Sequence, residues 1–346
     1  MEEVAREELR ALRSTLENID TSILRLIAAR LGVVRSISKI KRSTGLPVYD
    51  DKREKELLAT LSEEARRLGL SEELVEHLYT VLIKESRCAQ LYCAERLRVY
   101  IYGYGGMAAT FAENLLRAGC WVAIGGRSEE KAQKLAERLG AVAMEPCRGI
   151  DWADMVIYAV PGSAVPGLFK EHVTCARRSM LFTDLASAKK PLVPRIEEIL
   201  GGAEDPPEYA SLHPLFGPVH CIAGERVAVI PVRLVAWKPR LMRLLNGLGL
   251  KAVELDPDTH DRIMAVNQVL HHLVYDLYRL ASQRLARKLG ISEEQLKGLV
   301  TRSLRSTMSV AERLELLHGV VDEIRKENPY SREALSALLE ALESLS

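Results

Sequence analysis

Gly103, Gly105, Gly106 and Met107 stand in the run Arg98–Ala108, which reads Arg-Val-Tyr-Ile-Tyr-Gly-Tyr-Gly-Gly-Met-Ala. A Gly-x-Gly-x-x-Ala spacing after a short β-prone run lets backbone N–H groups approach a pyrophosphate. The helix that follows, with Phe111, Leu115 and Leu116 on its period, turns its positive end to that charge. The chemistry implied is dinucleotide binding. Where an NAD enzyme places an acid after the second strand, this chain has Gly125-Gly126-Arg127-Ser128. A guanidinium and a hydroxyl without a carboxylate suit a 2′-phosphate. The expected cofactor is therefore NADP, with NAD as second choice; the plain alternative makes Arg127 a solvated loop residue.

A second set of charged residues lies upstream. Leu9, Leu12, Leu16, Ile19, Ile23 and Leu26, then Val33, Ile37 and Ile40, alternate steps of three and four. Position 30 of that seam holds Arg30, where an unpaired charge is very unfavourable. Lys41 is eleven residues later, about 20° around the helix, so the two cations share a face and can converge on one small anion. Arg13 is about 100° away from Arg30 and could instead reach a site in a second subunit. Spacing alone leaves open that Arg30 pairs with a carboxylate such as Glu54. Two further polar clusters end apolar runs: Asp184-Leu-Ala-Ser187-Ala-Lys189 and Ser211-Leu-His213-Pro-Leu-Phe-Gly-Pro218. His260, Gln268, His271 and His272 crowd one helical segment, but without the spacing of a metal site, and no metal is expected.

Three regions must position these residues. Residues 1–96 read as three helices of about 40, 15 and 20 residues, broken at Thr44-Gly45-Leu46-Pro47 and restarted at Asp50-Asp51 and after Ser71. The first would extend about 60 Å, beyond what two shorter helices can cover, so its seam predicts a homodimer. Residues 97–252 alternate short apolar runs (Trp121–Ile124, Met155–Ala159, Met180–Thr183, Tyr209–Leu212, Val227–Ile230) with helical stretches such as Glu129–Leu139, the pattern of a doubly wound parallel α/β Rossmann sheet. Residues 253–346 read as an all-α, substrate-binding and dimer-forming domain, its first helix running from Asp256 to Gly290. The 346 residues carry 48 Lys plus Arg against 47 Asp plus Glu, without long blocks of one sign, so nucleic-acid and membrane-surface binding have no electrostatic support. No apolar run is long enough to span a bilayer. Six scattered cysteines without Cys-x-x-Cys spacing, and no signal peptide, predict buried thiols and a cytoplasmic enzyme. Asn and Gln occur only five times each, a mild thermophile signature.

The helical region resembles the AroQ-type chorismate mutases over essentially its whole length. That resemblance implies a substrate-binding set of Arg13, Arg30, Lys41, Asp50, Arg53, Glu54, Ser86 and Gln90. Arg13 (from a partner subunit) and Arg30 would take the two carboxylates of chorismate. Lys41 and Gln90 would donate to the breaking ether oxygen and Glu54 would hold the ring hydroxyl, with Ser86, Arg53 and Asp50 in support. The reaction, a pericyclic rearrangement to prephenate, needs a compact dianion and stabilised charge rather than a nucleophile. Residues 98–320 resemble the prephenate dehydrogenase family, on the Asp-x-x-Ser-x-Lys and His-Pro-Leu-Phe-Gly segments; Val219-His220 departs from an acid common there. By that likeness His213 accepts a hydrogen bond from the substrate hydroxyl as hydride leaves, and Ser187 orients His213 or the nicotinamide. Asp184 joins the cofactor site with Gly103, Gly105, Gly106, Met107, Arg127 and Ser128, while Gln268, His272 and Arg305, with Arg302 as the competing choice of arginine, line the substrate pocket. The second activity implied is oxidative decarboxylation of prephenate to 4-hydroxyphenylpyruvate. Two alternatives remain: oxidation of arogenate, and an N-terminal module that only dimerises or regulates.

Overall fold

A computed structural model describes the protein over residues 2–345. The chain forms two compact units, Met1–Glu145 with Pro214–Val227 and Ala236–Ala252, and Pro146–His213 with Ala228–Val235 and Val253–Ser346.

The first unit opens with helices α1 (Glu2–Thr44), α2 (Asp51–Arg67) and α3 (Glu72–Cys88), of 43, 17 and 17 residues. Asp50 caps α2 by accepting from Arg53 N at 3.0 Å, and Ser71 caps α3 by accepting from Leu74 N, as their residue types require. The apolar seam of α1 lies bare on the single chain: Leu12, Leu16, Leu26 and Val33 are each more than half exposed. Then come β1 (Arg98–Tyr102), α4 (Gly106–Ala118), β2 (Trp121–Gly125), α5 (Glu129–Leu139) and β3 (Val142–Ala143). β1 pairs in parallel with β2, and β2 with β3, which is one mononucleotide-binding half of a Rossmann-type fold.

The helical region is welded to this half. Tyr92 N donates to Gly247 O at 2.9 Å, and a Cβ at Gly247 would collide with the Tyr92 carbonyl, so only glycine fits that approach. Cys88 is disulfide-bonded to Cys221, and in the second unit Cys147 to Cys175; Cys93 and Cys120 are free and buried. This corrects the expectation of six thiols: the partners are 133 and 28 residues apart, separations that carry no local sequence signal. In the chain-entropy account the larger loop stabilises the folded state by about 5 kcal/mol and the smaller by about 3.5 kcal/mol. Cys88→Ala/Cys221→Ala should therefore lower the unfolding temperature more than Cys147→Ala/Cys175→Ala, as differential scanning calorimetry under oxidising conditions can measure.

The second unit contains α6 (Pro146–Trp152), β4 (Met155–Tyr158), α7 (Val165–His172), β5 (Leu181–Asp184), α8 (Val193–Gly201) and most of β6 (Glu208–Pro214). β4, β5 and β6 are parallel in that order. Their core is aromatic: Phe169 packs edge-on against Phe182 and Tyr209, at 5.2 and 5.0 Å between ring centres. After β7 (Arg226–Arg233), α9 (Trp237–Gly247) and β8 (Lys251–Glu254), which divide between the units, the chain becomes helical. α10 (Pro257–Met264) runs through a π-helical segment, Ala265–Leu270, into α11 (His271–Leu289), followed by α12 (Glu293–Gly298), α13 (Arg302–Leu316), α14 (His318–Glu327) and α15 (Ser331–Ser344). Val269, Ile324 and Ala334 form the core of this region. The architecture is thus a helical module, a parallel Rossmann-type sheet and a helical C-terminal region.

Candidate active sites

The helical module brings Arg30, Ser86 and Gln90 together. Arg30 Nη1 donates to the Ser86 hydroxyl and, at 3.2 Å, to Leu82 O. Gln90 lies just past the end of α3 but keeps helical contact, with Nε2 donating to Ser86 O at 3.0 Å. Its Oε1 is buried without a partner. Arg30 is not neutralised by Glu54, whose carboxylate is gripped by Arg87 through Nε at 2.7 Å and through Nη2. Arg87 also stacks over Tyr49, and Lys251 lies 3.7 Å from the same ring centre. Lys41 Nζ donates to Val48 O at 2.9 Å. Burial lowers its pKa, opposed by the charges of Asp50 and Glu54. Asp50 is the cap of α2, and Arg53 is exposed beside Glu56. Arg13 is seventeen residues before Arg30 on one unbroken helix, about 25 Å along its axis, and cannot serve the Arg30 site of its own chain.

The glycine turn joins β1 to α4. Gly103 has φ 144°, a conformation that L side chains rarely adopt, and its N–H donates to Gly125 O at 2.8 Å. Gly105 is the N-cap of α4 with no side-chain cap, and a Cβ there would meet nothing within 4 Å. That is the open approach a pyrophosphate needs, so the turn fits a dinucleotide. Gly106 and Met107 open the helix; a Cβ on Gly106 would collide with Pro218 Cγ, so the segment after His213 packs on the turn. Val219 N donates to Thr110 Oγ1 and Ile222 N to Asn114 Oδ1, while His220 pairs with Glu113 at 2.9 Å. The Val219-His220 departure thus belongs to a strap over α4. At the end of β2, Gly125 is set by Tyr100: a side chain there would overlap the Tyr100 hydroxyl, which donates to Met144 O. Arg127 is exposed, and Ser128 caps α5 by accepting from Lys131 N.

In the second unit the ends of β5 and β6 hold a buried ionic cluster. Lys189 Nζ, fully buried, donates to Asp184 Oδ1 at 3.2 Å and to Ser211 Oγ and Leu212 O at 2.8 Å. Asp184, also fully buried, accepts from Ala186 N and from the Tyr209 hydroxyl as well. Asp184 was expected among the cofactor ligands; with both oxygens engaged internally it is instead the counter-ion of Lys189, without which that ammonium would be uncompensated. Ser187 is half-buried on the loop between them. His213 Nδ1 is 2.9 Å from His260 Nε2, and His260 Nδ1 is 2.8 Å from Asp261 Oδ1. Burial, followed by the charges of Lys189 and His260, holds the His213 pKa well below the usual histidine range. His213 is oriented at Nδ1 by His260, a partner that the motifs do not reveal.

The π-helical segment carries Gln268, and His272 follows one turn later. Single π-turns inside helices mark functional sites frequently. Gln268 Oε1 and His272 Nδ1 are buried with no hydrogen-bond partner, as is Arg325 Nε. Burial, then the charges of His271 and Arg325, lower His272 to about 4, and Arg325 Nη2 is 2.8 Å from Asp276 Oδ2. Arg305, the arginine expected there, is exposed on α13 and lines a surface groove with Lys297, Met308 and Glu312. Among the described residues no cluster of His, Cys, Asp and Glu is placed to hold a metal ion, and no helix is long and apolar enough to cross a membrane.

Known proteins fall along the same division. Residues 12–91 match the family described as chorismate mutase type II, and residues 98–182 the family described as NADP oxidoreductase coenzyme F420-dependent. The T-protein of Enterobacter agglomerans is 28% identical over 326 residues, covering 89% of this chain and 78% of its own. That of Haemophilus influenzae is 27% identical over 274 residues, 77% of this chain and 68% of its own. Among solved structures, the prephenate dehydrogenase of Aquifex aeolicus in complex with hydroxyphenyl propionate and NAD+ superposes with a TM-score of 0.57 at 21% identity, covering 71% of this chain and 88% of that one. The chain therefore joins an N-terminal chorismate mutase type II domain to a dehydrogenase domain with an NAD(P)-binding Rossmann-type fold, and bifunctional T-proteins are its homologues over most of its length.

Proposed function

We propose that the protein converts chorismate to prephenate in residues 1–96 and oxidatively decarboxylates prephenate to 4-hydroxyphenylpyruvate with residues 97–252 and 253–346. The observation that carries this is the pair of buried polar atoms left without partners in the second of these regions, Gln268 Oε1 and His272 Nδ1; in the first, Gln90 Oε1 is an unpartnered acceptor, and Gln90 donates through the Nε2 hydrogen not given to Ser86 O. Buried polar groups are otherwise almost always satisfied, and these await polar ligands.

In the mutase, Arg30 and the Arg13 of a second copy hold the carboxylates, and Lys41 with Gln90 donates to the ether oxygen as it gains charge. Glu54, steadied by Arg87, takes the ring hydroxyl, with Ser86, Asp50 and Arg53 in support. The bare seam of α1 supports a homodimer, as do Ile263 and Val266 on the C-terminal helices, exposed at 38% and 63%. In the dehydrogenase, Gly103, Gly105, Gly106 and Met107 receive the pyrophosphate. Arg127 and Ser128 take a 2′-phosphate, which favours NADP over NAD. The nicotinamide, when bound, accepts the hydride. His213 accepts a hydrogen bond from the ring hydroxyl and stabilises the positive charge that grows on its carbon as the C–H bond breaks. The ring carboxylate then leaves as carbon dioxide, its bonding pair completing the aromatic ring, and the hydroxyl keeps its proton as a phenol. Arg325 and Arg305 are the candidate carboxylate partners; Arg325 has the stronger support because its Nε is buried and unpartnered. A cytoplasmic enzyme with two disulfides is a hyperthermophile trait, in keeping with its few amides.

A coupled assay tests this directly. Chorismate plus NADP should give a rise in reduced-nicotinamide absorbance with no added enzyme, and Arg127→Ala should raise KM for NADP about 10- to 100-fold, the loss of one charge-assisted contact, while leaving KM for NAD unchanged. Turnover of prephenate but not chorismate would reduce the N-terminal module to a dimerisation unit. Faster turnover of arogenate than of prephenate would reassign the substrate.

A further inference from the structure

We infer that His260 and Asp261 are positioning residues that fix His213 in the tautomer with its lone pair on Nε2. This rests on the reading of His213 as the acceptor for the substrate hydroxyl, and it follows from hydrogen-bond bookkeeping along a chain of side chains that are at most 3% exposed.

Asp261 begins the chain. Its Oδ1 accepts from Lys189 N at 2.9 Å, and its Oδ2 accepts from Lys190 N at 2.8 Å and Lys189 N at 3.2 Å. Facing backbone N–H donors on both oxygens, the carboxylate acts here as an acceptor. The His260 nitrogen 2.8 Å from Oδ1 is Nδ1, and it must therefore carry a proton. A neutral imidazole with its proton on Nδ1 has a bare lone pair on Nε2. That atom is 2.9 Å from His213 Nδ1, so the proton between the rings belongs to His213. A neutral His213 with Nδ1 protonated is then bare at Nε2. Two backbone N–H groups on the loop after β5 thus decide, through two rings, the polarity of the nitrogen that meets the substrate. Inverting any one member of the chain inverts the last: a donor at position 261 would force His213 to present an N–H, which cannot accept from a hydroxyl.

Asp261→Asn performs that inversion. The amide oxygen replaces Oδ2 beneath the two backbone donors, which leaves the amide nitrogen facing His260 Nδ1. The dehydrogenase kcat should fall about 10³- to 10⁴-fold, the scale of a buried carboxylate losing control of a catalytic imidazole tautomer. KM for prephenate should stay within about threefold, since the hydroxyl contact contributes mainly in the transition state. His260→Gln, whose amide oxygen can still accept from His213 Nδ1, should retain at least tenfold more activity than His260→Leu. Circular dichroism and the thermal unfolding transition of each preparation report whether the chain is folded. Should the variants misfold, 15N chemical shifts of histidine-labelled wild-type protein decide alone: His213 should show a protonated Nδ1 and an unprotonated Nε2. The opposite tautomer, a resting imidazolium at His260, or an Asp261→Asn kcat within threefold of wild type overturns the inference. If His213→Asn itself leaves the dehydrogenase intact, the acceptor reading fails instead, so the two failures are distinguishable.

Discussion

Replacing His213 by Asn is expected to lower the dehydrogenase kcat by about 10²- to 10⁴-fold, the range of a positioned acid or base, and to leave chorismate turnover unchanged. The amide removes Nε2 and with it the proposed acceptor for the substrate hydroxyl. His213 lies in the second compact unit, and the residues proposed for the mutase, Arg30, Lys41, Ser86 and Gln90, all lie in the first, so the proposed mutase set does not include it. The same burial fixes the pH dependence. A histidine whose folded pKa lies below its ordinary value, about 6.5, remains neutral, and so an acceptor, as the pH falls through that value. The plateau of kcat should therefore extend below pH 6.5, and an acid limb centred at 6.5 or above would show that another group limits the reaction. Equal loss of both activities in His213→Asn would mean that the two reactions share one site.

The complementary substitution, Lys41→Ala, should reduce mutase kcat/KM by about 10²- to 10³-fold, the effect of removing one donor to a developing oxyanion, while prephenate oxidation continues at the wild-type rate. Lys41 holds Val48 O in the free protein, so the substitution also releases one bond of the turn before α2. That bond is worth about 1 kcal/mol, too little to unfold a chain with two disulfides. Circular dichroism of the variant, with prephenate oxidation as an internal control, separates a lost donor from a lost fold. A mutase decrease of less than tenfold would mean that another donor serves the ether oxygen.

What could be read from the sequence follows from the range of the physics involved. Ser71 and Asp50 announce helix starts because a cap acts within three residues, and the helix foreseen over Glu129–Leu139 has those limits in the structure. Short-range periodicity also finds the strands that bear the glycine turn, although it misses the two-residue β3 and the four-residue β8. Asp184 shows where such reasoning stops. A carboxylate at the end of a parallel strand suits a cofactor, yet Lys189, Tyr209 and the Ala186 backbone engage it completely. The disulfides and the pairing of His213 with His260 depend on residues 133, 28 and 47 positions apart, and only the folded chain brings these together. Gln90 and Gln268 are a different case. Where glutamine is scarce, two of the five bury a carbonyl oxygen that has no partner, and scarcity itself is a usable signal.

The weld between the helical module and the first Rossmann half limits how the protein can be taken apart. Cys88 is bonded to Cys221, Tyr92 N to Gly247 O and Cys93 N to Ala118 O, at 2.9 and 2.7 Å for the last two, and Ser86 and Gln90 flank the first of these anchors. A fragment ending near residue 96 would keep every residue of the mutase set and lose the scaffold that holds the last two in place. The end of the third helix thus draws its support from sequence more than a hundred residues downstream, and a transplanted helical module would need a new support there.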